Sequence, residues 1–233
     1  MSGIYIAGDI HAEFKYLTDN FINKFSPDIL LCCGDFGYWW NNKVHLFYHD
    51  YLLTNKKCKI YFCDGNHERH DLLKNLVVEY GWKKPIEIKR NVFYCPRGSS
   101  LTLPNGKNVL FFGGADSIDK GLRTVGVDWF QEENITQYDI DRIDNSIKYD
   151  IVISHTCPKF LVNDMKITLG LSSFYPKYSD PNCDALNEVF NKVKPSEWFF
   201  GHWHNNYSNI VNGCKFTCLN MVPRESYFLK YSD

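Results

Sequence analysis

The sequence predicts an α/β fold, and three observations carry that expectation. Five apolar runs, IYIAG, ILLCC, KIYFCD, DIVI and EWFF, read as buried strands. Segments of helical periodicity separate the first of these runs and are long enough to form parallel β-α-β crossovers. Two Asn-Gly pairs, Asn105-Gly106 and Asn212-Gly213, mark hairpins further along. This order fits either one sheet with hairpins at its far edge or two facing mixed sheets covered by helices.

In chain order, IYIAGDI is the first strand, and Phe14, Leu17, Phe21, Ile22 and Phe25 then fall on one helical face. The run Ile29 to Cys33 leads through Gly34-Asp35 into an aromatic turn, Tyr38-Trp39-Trp40. A helix is expected from Val44 to Leu53, then the strand KIYFCD, then a helix from His70 to Tyr80 that stops near Gly81. Leu101-Thr102-Leu103 and NVLFFGG flank the first Asn-Gly pair as a hairpin. A helix starts near Thr136, whose hydroxyl can cap it ahead of Asp139. After DIVI and EWFF, Tyr207 to Ile210 and Lys215 to Leu219 flank the second hairpin turn. No internal repeat, low-complexity tract or linker interrupts the chain, so one domain over residues 1–233 is the economical reading.

Composition sets the limits. The 233 residues are 44% hydrophobic and 23% charged, with a formal net charge of -1, an ordinary globular balance. Near-neutrality removes any whole-protein electrostatic case for nucleic acid or an anionic membrane as partner. The nine cysteines include no Cys-x-x-Cys pair, and most sit in apolar runs, as reduced core thiols do. No signal-like segment precedes the first strand, and no apolar stretch approaches the ~20 residues of a membrane span. The expectation is a cytoplasmic enzyme in a reducing compartment with no membrane partner.

A short polar cluster follows each strand run: Asp9-Ile10-His11, Gly34-Asp35, Gly65-Asn66-His67-Glu68, Ser154-His155-Thr156 and Gly201-His202-Trp203-His204. Strand ends in open α/β sheets converge where ligands bind, so the clusters pool their side chains in one pocket. Asp9 and His11 can reach one ion if the backbone turns between them, and His202 and His204 share that spacing. Asp35 has two oxygens, each able to face a different cation, which makes it the natural bridge. Asn66 supplies an amide oxygen and His155 another imidazole. Nitrogen and oxygen donors without thiolate favour manganese, with iron or zinc as alternatives. Two cations roughly 3.5–4 Å apart form a clamp for in-line displacement at phosphorus, with a shared, deprotonated water as the nucleophile. His67, beside Asn66 and not required as a ligand, is placed to protonate the leaving oxygen. Singly, an Asp-x-His or a Gly-Asp is common and structural, and Gly-Asn-His-Glu can be a simple turn. Their conjunction after five strands points to a metal centre.

The ordered set Asp9-x-His11, Gly34-Asp35, Gly65-Asn66-His67-Glu68, His155 and Gly201-His202-x-His204 resembles the calcineurin-like metallophosphoesterase family over residues 9–204. The stretch GGADSIDKGLRTVGVDWFQEE also resembles a segment of a bacterial and phage subgroup. The resemblance implies a four-layer αββα sandwich of two mixed sheets flanked by helices, with a dinuclear centre. It implies Asp9, His11, Asp35 and His204 around one ion, Asp35, Asn66, His155 and His202 around the other, and His67 as general acid. One departure is informative. Family members that act on phosphoproteins continue the Gly-Asp pair with Asp-Arg-Gly, whereas here Phe36-Gly37-Tyr38-Trp39-Trp40 follows. That argues against phosphoprotein substrates and leaves His67 without an orienting partner. Arg123 is the candidate phosphate contact, against the alternative of a solvated loop arginine.

Other residues have blander readings. His45 and His49 share a helical spacing but lie among Phe47, Tyr48 and Tyr51, so a second metal site there is not favoured. His70 reads as a solvated helix-start residue. Trp39 and Trp40 can stack on a base, although packing is the commoner use of such residues. The segment from Thr156 to Cys183 is long for a structureless connection and reads as a binding loop or a pocket cover, with Lys159, Lys166, Lys177 and the aromatic Phe174, Tyr175 and Tyr178. The function expected is hydrolysis of small phosphate mono- or diesters, nucleotides among them. A nuclease of the same fold and a non-catalytic interaction module are the competitors. The full ligand set opposes the module, and the neutral charge weighs against a nucleic-acid groove.

Overall fold

The computed structural model describes residues 3–39, 57–171 and 179–232. The helix expected from Val44 to Leu53, with His45 and His49, lies outside the described residues, as do Trp40, Lys177 and the stretch Phe174 to Tyr178.

The chain begins β1 (Ile4–Ala7), then a helical run made of α1 (Phe14–Leu17), one π turn (Thr18–Ile22) and α2 (Asn23–Phe25). There follow β2 (Ile29–Cys32), β3 (Lys59–Phe62), α3 (His70–Tyr80), β4 (Ile86–Lys89), β5 (Val92–Tyr94), β6 (Ser100–Thr102) and β7 (Asn108–Phe112). After α4 (Gln137–Asp141) and β8 (Ile151–Ser154) come α5 (Lys159–Thr168), α6 (Pro181–Val193), β9 (Glu197–Phe200), β10 (Tyr207–Val211), β11 (Cys214–Cys218) and β12 (Phe228–Ser232).

These strands make two six-stranded sheets, ordered β12-β1-β2-β3-β5-β4 and β10-β11-β9-β8-β7-β6. In each, four parallel strands occupy the middle and an antiparallel strand closes either edge. The period of two along a strand assigns the layers. Ile4, Ile6, Ile29, Leu31, Ile151 and Ile153 meet between the sheets. Tyr5, Ala7, Leu30, Cys32, Ile60 and Phe62 face outward, under Phe14, Leu17, Phe21 and the α3 residue Leu73. On the other side Leu110, Phe112, Val152, Trp198 and Phe200 pack under Leu161, Met165, Leu186, Val189 and Phe190 of α5 and α6. The architecture is the four-layer αββα sandwich. Strands covered on both faces explain the uninterrupted apolar runs.

Local signals act where expected. Thr136 and Asp139 form a reciprocal capping box at α4, α3 spans His70–Tyr80 and ends at Gly81, and both Asn-Gly turns join antiparallel strands. All nine cysteines are buried free thiols. Among the described residues no helix is long and apolar enough to cross a membrane.

Two expectations are corrected, and the packing read for Trp39 is observed. The Thr156–Cys183 segment is no structureless loop. It contains α5, anchored through buried Leu161 and Met165, and its Lys159 pairs with Asp184 at 2.7 Å. Trp39 packs against the outer core and stands edge-on to Tyr38. His70 is buried, with Nε2–H donating to the Gly65 carbonyl at 2.9 Å. Next to it, Asp64 and Arg97 form a buried ion pair at 2.6 Å, and Arg97 also donates to the Glu132, Glu133 and Asn134 carbonyls.

Burial holds the His70 imidazole down to about 4 despite nearby Asp64. Its unfolded value is about 6.5, so the fold favours the neutral ring. That contribution is fully present above pH ~6.5 and is lost as the pH falls towards the folded value, an effect on the order of 3 kcal/mol. His70→Gln keeps a donor for Gly65 and cannot titrate. Urea unfolding in chelator between pH 7.5 and 4.5 should therefore show a shallower loss of stability for the variant. Parallel curves for the two proteins would overturn this account.

Candidate metal centre

Each polar cluster sits just past the carboxyl end of a central parallel strand: Asp9 and His11 after β1, Asp35 after β2, Asn66 and His67 after β3, His155 after β8, and His202 and His204 after β9. Because both sheets are parallel in the middle, these ends gather at one rim of the sandwich. The backbone leaves its strands sharply. His11 (φ 48°), Asp35 (φ 44°), His202 (φ 65°) and His204 (φ 48°) all occupy the left-handed region that non-glycine residues seldom adopt. Such strain persists only where surrounding structure enforces it, and it collects at functional sites. Glycine clears the remaining space. A Cβ at Gly65 would collide with Asp35 Oδ1, and one at Gly201 with Asp9 Oδ1.

All seven candidate ligands come together. Asp9 Oδ2 lies 2.9 Å from His204 Nε2 and 3.8 Å from His11 Nε2, and the two imidazole nitrogens are 3.2 Å apart. Asp35 Oδ2 stands between His11 Nε2 at 3.7 Å and His155 Nε2 at 3.3 Å. Asn66 Oδ1 lies 3.1 Å from both His155 Nε2 and His202 Nδ1. Three groups offer atoms close enough to share an ion: Asp9, His11 and His204; His11, Asp35 and His67; and Asp9, Asp35 and His155. Of the two Asp35 oxygens, Oδ1 accepts the His67 backbone N–H at 2.7 Å, and Oδ2 faces both His11 and His155.

The donor set fits cations. Asp9 and Asp35 are buried carboxylates, and among the described residues neither has a Lys or Arg partner. Buried charge without such compensation needs a positive group supplied by protons or metal. His155 Nδ1–H donates to the Cys33 carbonyl at 2.8 Å, which turns Nε2 towards Asp35 and Asn66 Oδ1. Fixing one ring nitrogen on a carbonyl in this way presents the other as a ligand.

Titration directions follow the same crowding. Burial opposes charge on His155, but Asp35 and Asp9 beside it prevail and raise it to about 10. Burial likewise works against an ionised Asp35, yet His155, His67 and His11 hold it well below the usual carboxylate range. His202 is driven down to about 3 by burial and by His155. His67 is lowered by burial, with Arg123 adding to the effect against Asp35.

Arg123 is no solvated loop arginine. Its side chain is buried, with Nη2 donating to His67 Nε2 at 2.9 Å and pairing with Asp119 at 2.7 Å, and Nη1 donating to the Asn66 carbonyl at 3.3 Å. It lines a cavity of about 410 Å³ over the centre with Asp35, Asn66, His67, Trp203 and Arg224. That volume lies within the range of small-molecule sites. Sequence reasoning missed Glu68, whose Oε1 accepts the Phe36 and Gly37 N–H groups at 2.8 and 3.1 Å and so braces the turn behind Asp35. It also missed Ser117 and Glu133 behind Asn66.

Known proteins are similar to this chain in sequence or fold. The chain is 24% identical over 250 residues to the human (Homo sapiens) lariat debranching enzyme, covering 89% of this chain and 43% of that protein. It is 24% identical over 278 residues to lariat debranching enzyme A of Xenopus laevis, covering 99% and 50%. The chain thus spans half or less of these curated relatives. The solved structure of TT1561 from Thermus thermophilus shares the fold with a TM-score of 0.55 at 10% identity, over 94% of this chain and 88% of that one. Since the calcineurin-like phosphoesterase family model matches residues 3–206, the chain belongs to that family.

Proposed function

We propose that the chain hydrolyses small phosphate mono- or diesters, nucleotides among them, at a centre of two divalent ions, manganese by preference. In this reading Asp9, His11, Asp35 and His204 hold one ion, and Asp35, Asn66, His155 and His202 hold the other. The observation that carries it is the position of Asp35 Oδ2 between His11 and His155, in a buried acidic cluster with no Lys or Arg partner among the described residues. The absence of thiolate from the donor set supports manganese, with iron or zinc as alternatives. Bound ions would supply an activated water and neutralise charge developing on the phosphate. The chain's own residues do the rest. Arg123, held at the cavity wall by Asp119 and the Asn66 carbonyl, offers guanidinium N–H groups to a phosphate oxygen. His67 faces the same cavity and passes a proton to the leaving oxygen.

The cavity of about 410 Å³ with its two arginines, Arg123 and Arg224, and with Trp203 available for stacking supports a small ester as substrate. A second reading, a nuclease of the same fold, is favoured by the curated relatives, which are lariat debranching enzymes. The two separate in one assay. Manganese-loaded protein is offered bis-p-nitrophenyl phosphate, nucleotides, a phosphopeptide, single-stranded DNA and a branched RNA lariat. The proposal expects the highest kcat/KM on the small esters. A preference of tenfold or more for a polynucleotide or the phosphopeptide, about 1.4 kcal/mol in transition-state binding, would overturn the substrate assignment.

A further inference from the structure

Behind the centre lies a buried carboxylate that the proposed chemistry does not use. Glu133, fully buried, accepts three hydrogen bonds. Its Oε1 takes the Ser117 backbone N–H at 2.8 Å and the Trp129 indole N–H at 2.9 Å, and its Oε2 takes the Ser117 hydroxyl at 2.6 Å. A serine hydroxyl has one hydrogen, and here it is committed to Glu133, so Ser117 Oγ presents only lone pairs to its other side. Asn66 Nδ2 donates to those lone pairs at 3.3 Å. With its nitrogen held there, the Asn66 amide turns Oδ1 towards His155 and His202.

We infer that Glu133 is a positioning residue which, through the Ser117 hydroxyl, fixes the orientation of the Asn66 amide so that its oxygen faces the metal centre. The inference rests on the reading of Asn66 as a ligand. Partners behind a metal ligand commonly set its geometry and affect affinity about 10–100-fold. What distinguishes positioning from simple bracing of the 113–133 segment is polarity. Glu133 gives acceptors on both oxygens, and that is what sends the serine hydrogen away from Asn66.

Glu133→Gln reverses the polarity at nearly constant shape. The glutamine oxygen belongs opposite the two N–H donors, which places its NH₂ at Ser117 Oγ. Ser117 then accepts from it and turns its hydrogen towards Asn66. The amide of Asn66 answers by flipping, and its nitrogen replaces its oxygen at the centre. Asn66→Asp is the complement. An aspartate cannot donate to Ser117 and meets lone pairs in the parent protein, but in the Glu133→Gln background it accepts the reversed hydroxyl with one oxygen and keeps the other for the ion.

Calorimetric titration with Mn²⁺ tests this on the parent chain, Glu133→Gln, Asn66→Asp, the double variant and Asn66→Ala. Expected are about 10–100-fold weaker binding of one of the two ions in Glu133→Gln and substantial recovery in the double variant. Ser117→Ala removes the relay without altering Glu133, should weaken the same ion, and serves if Glu133→Gln does not fold. Parental affinity in Glu133→Gln and Ser117→Ala, while Asn66→Ala is impaired, would overturn the relay alone. So would a double variant whose loss is the product of the two single losses. Parental affinity in Asn66→Ala would instead remove Asn66 from the ligand set.

Discussion

Asp35→Ala is expected to lose both metal ions together and to lower kcat/KM by about four orders of magnitude, ~5.5 kcal/mol of transition-state stabilisation. The size of the effect follows from position. Asp35 Oδ2 is the atom shared by the two groups, 3.7 Å from His11 Nε2 and 3.3 Å from His155 Nε2. Oδ1 meanwhile accepts the His67 N–H, so the same side chain anchors the backbone that carries the proposed acid. Removing it leaves His11, His155 and His67 facing a vacated position with their negative partner gone. Metal analysis after manganese reconstitution should fall from two ions per chain towards none. Circular dichroism should show an intact fold, because the strands beneath the site pack through Leu31 and Cys32, which the change does not touch. A folded Asp35→Ala variant that still binds two ions at parental affinity would remove Asp35 as the bridge and with it the dinuclear reading.

The sequence announced this site so clearly because its physical requirements are local. A parallel strand covered on both faces must be apolar throughout, and the turn after it must be polar, so each junction is visible as an abrupt change of residue type. β9 occupies Glu197–Phe200, matching the run EWFF, and β2 differs from its run only at Cys33. What stayed hidden depends on distant partners. β12 (FLKYS) has no buried residue and exists because it pairs with β1 across almost the whole chain. β4 alternates apolar and charged residues, IEIK, over only four positions at a sheet edge. The helix Lys159–Thr168 buries only Leu161 and Met165, too narrow an apolar stripe to stand out from a long connection. His70 looked solvated because its ring packs beside Phe130, far along the chain, with Arg97 a further distant neighbour. Glu133 and Ser117 had no spacing to betray them, since Asn66 and Ser117 meet across 51 residues. The left-handed backbone at His11, Asp35, His202 and His204 is a tertiary outcome too, since none of these is a glycine.

His67→Asn should retain both ions and lose about 10²–10⁴-fold in rate on esters with poor leaving groups. Retention is expected because the bond to Asp35 comes from the backbone N–H of residue 67, which asparagine preserves. The ring itself points into the cavity, edge-on to His11 with centroids 5.0 Å apart, and its Nε2 meets Arg123 Nη2 at 2.9 Å. In the proposed reaction a substrate phosphate draws the Arg123 guanidinium away, and Nε2, released from that N–H, takes up a proton from water and then gives it to the leaving oxygen. An asparagine amide cannot deliver a proton there, so the penalty should scale with how badly the leaving group needs one. Alkyl esters should show the whole loss, and p-nitrophenyl esters, whose leaving group departs as a stable anion, a much smaller one. The competing role is written in the same geometry, because His67 can also join His11 and Asp35 around an ion. Under that role one ion leaves with the ring, and the loss is equal for good and poor leaving groups. Metal content measured beside the leaving-group series therefore decides whether His67 is the proton donor or one more ligand of the centre.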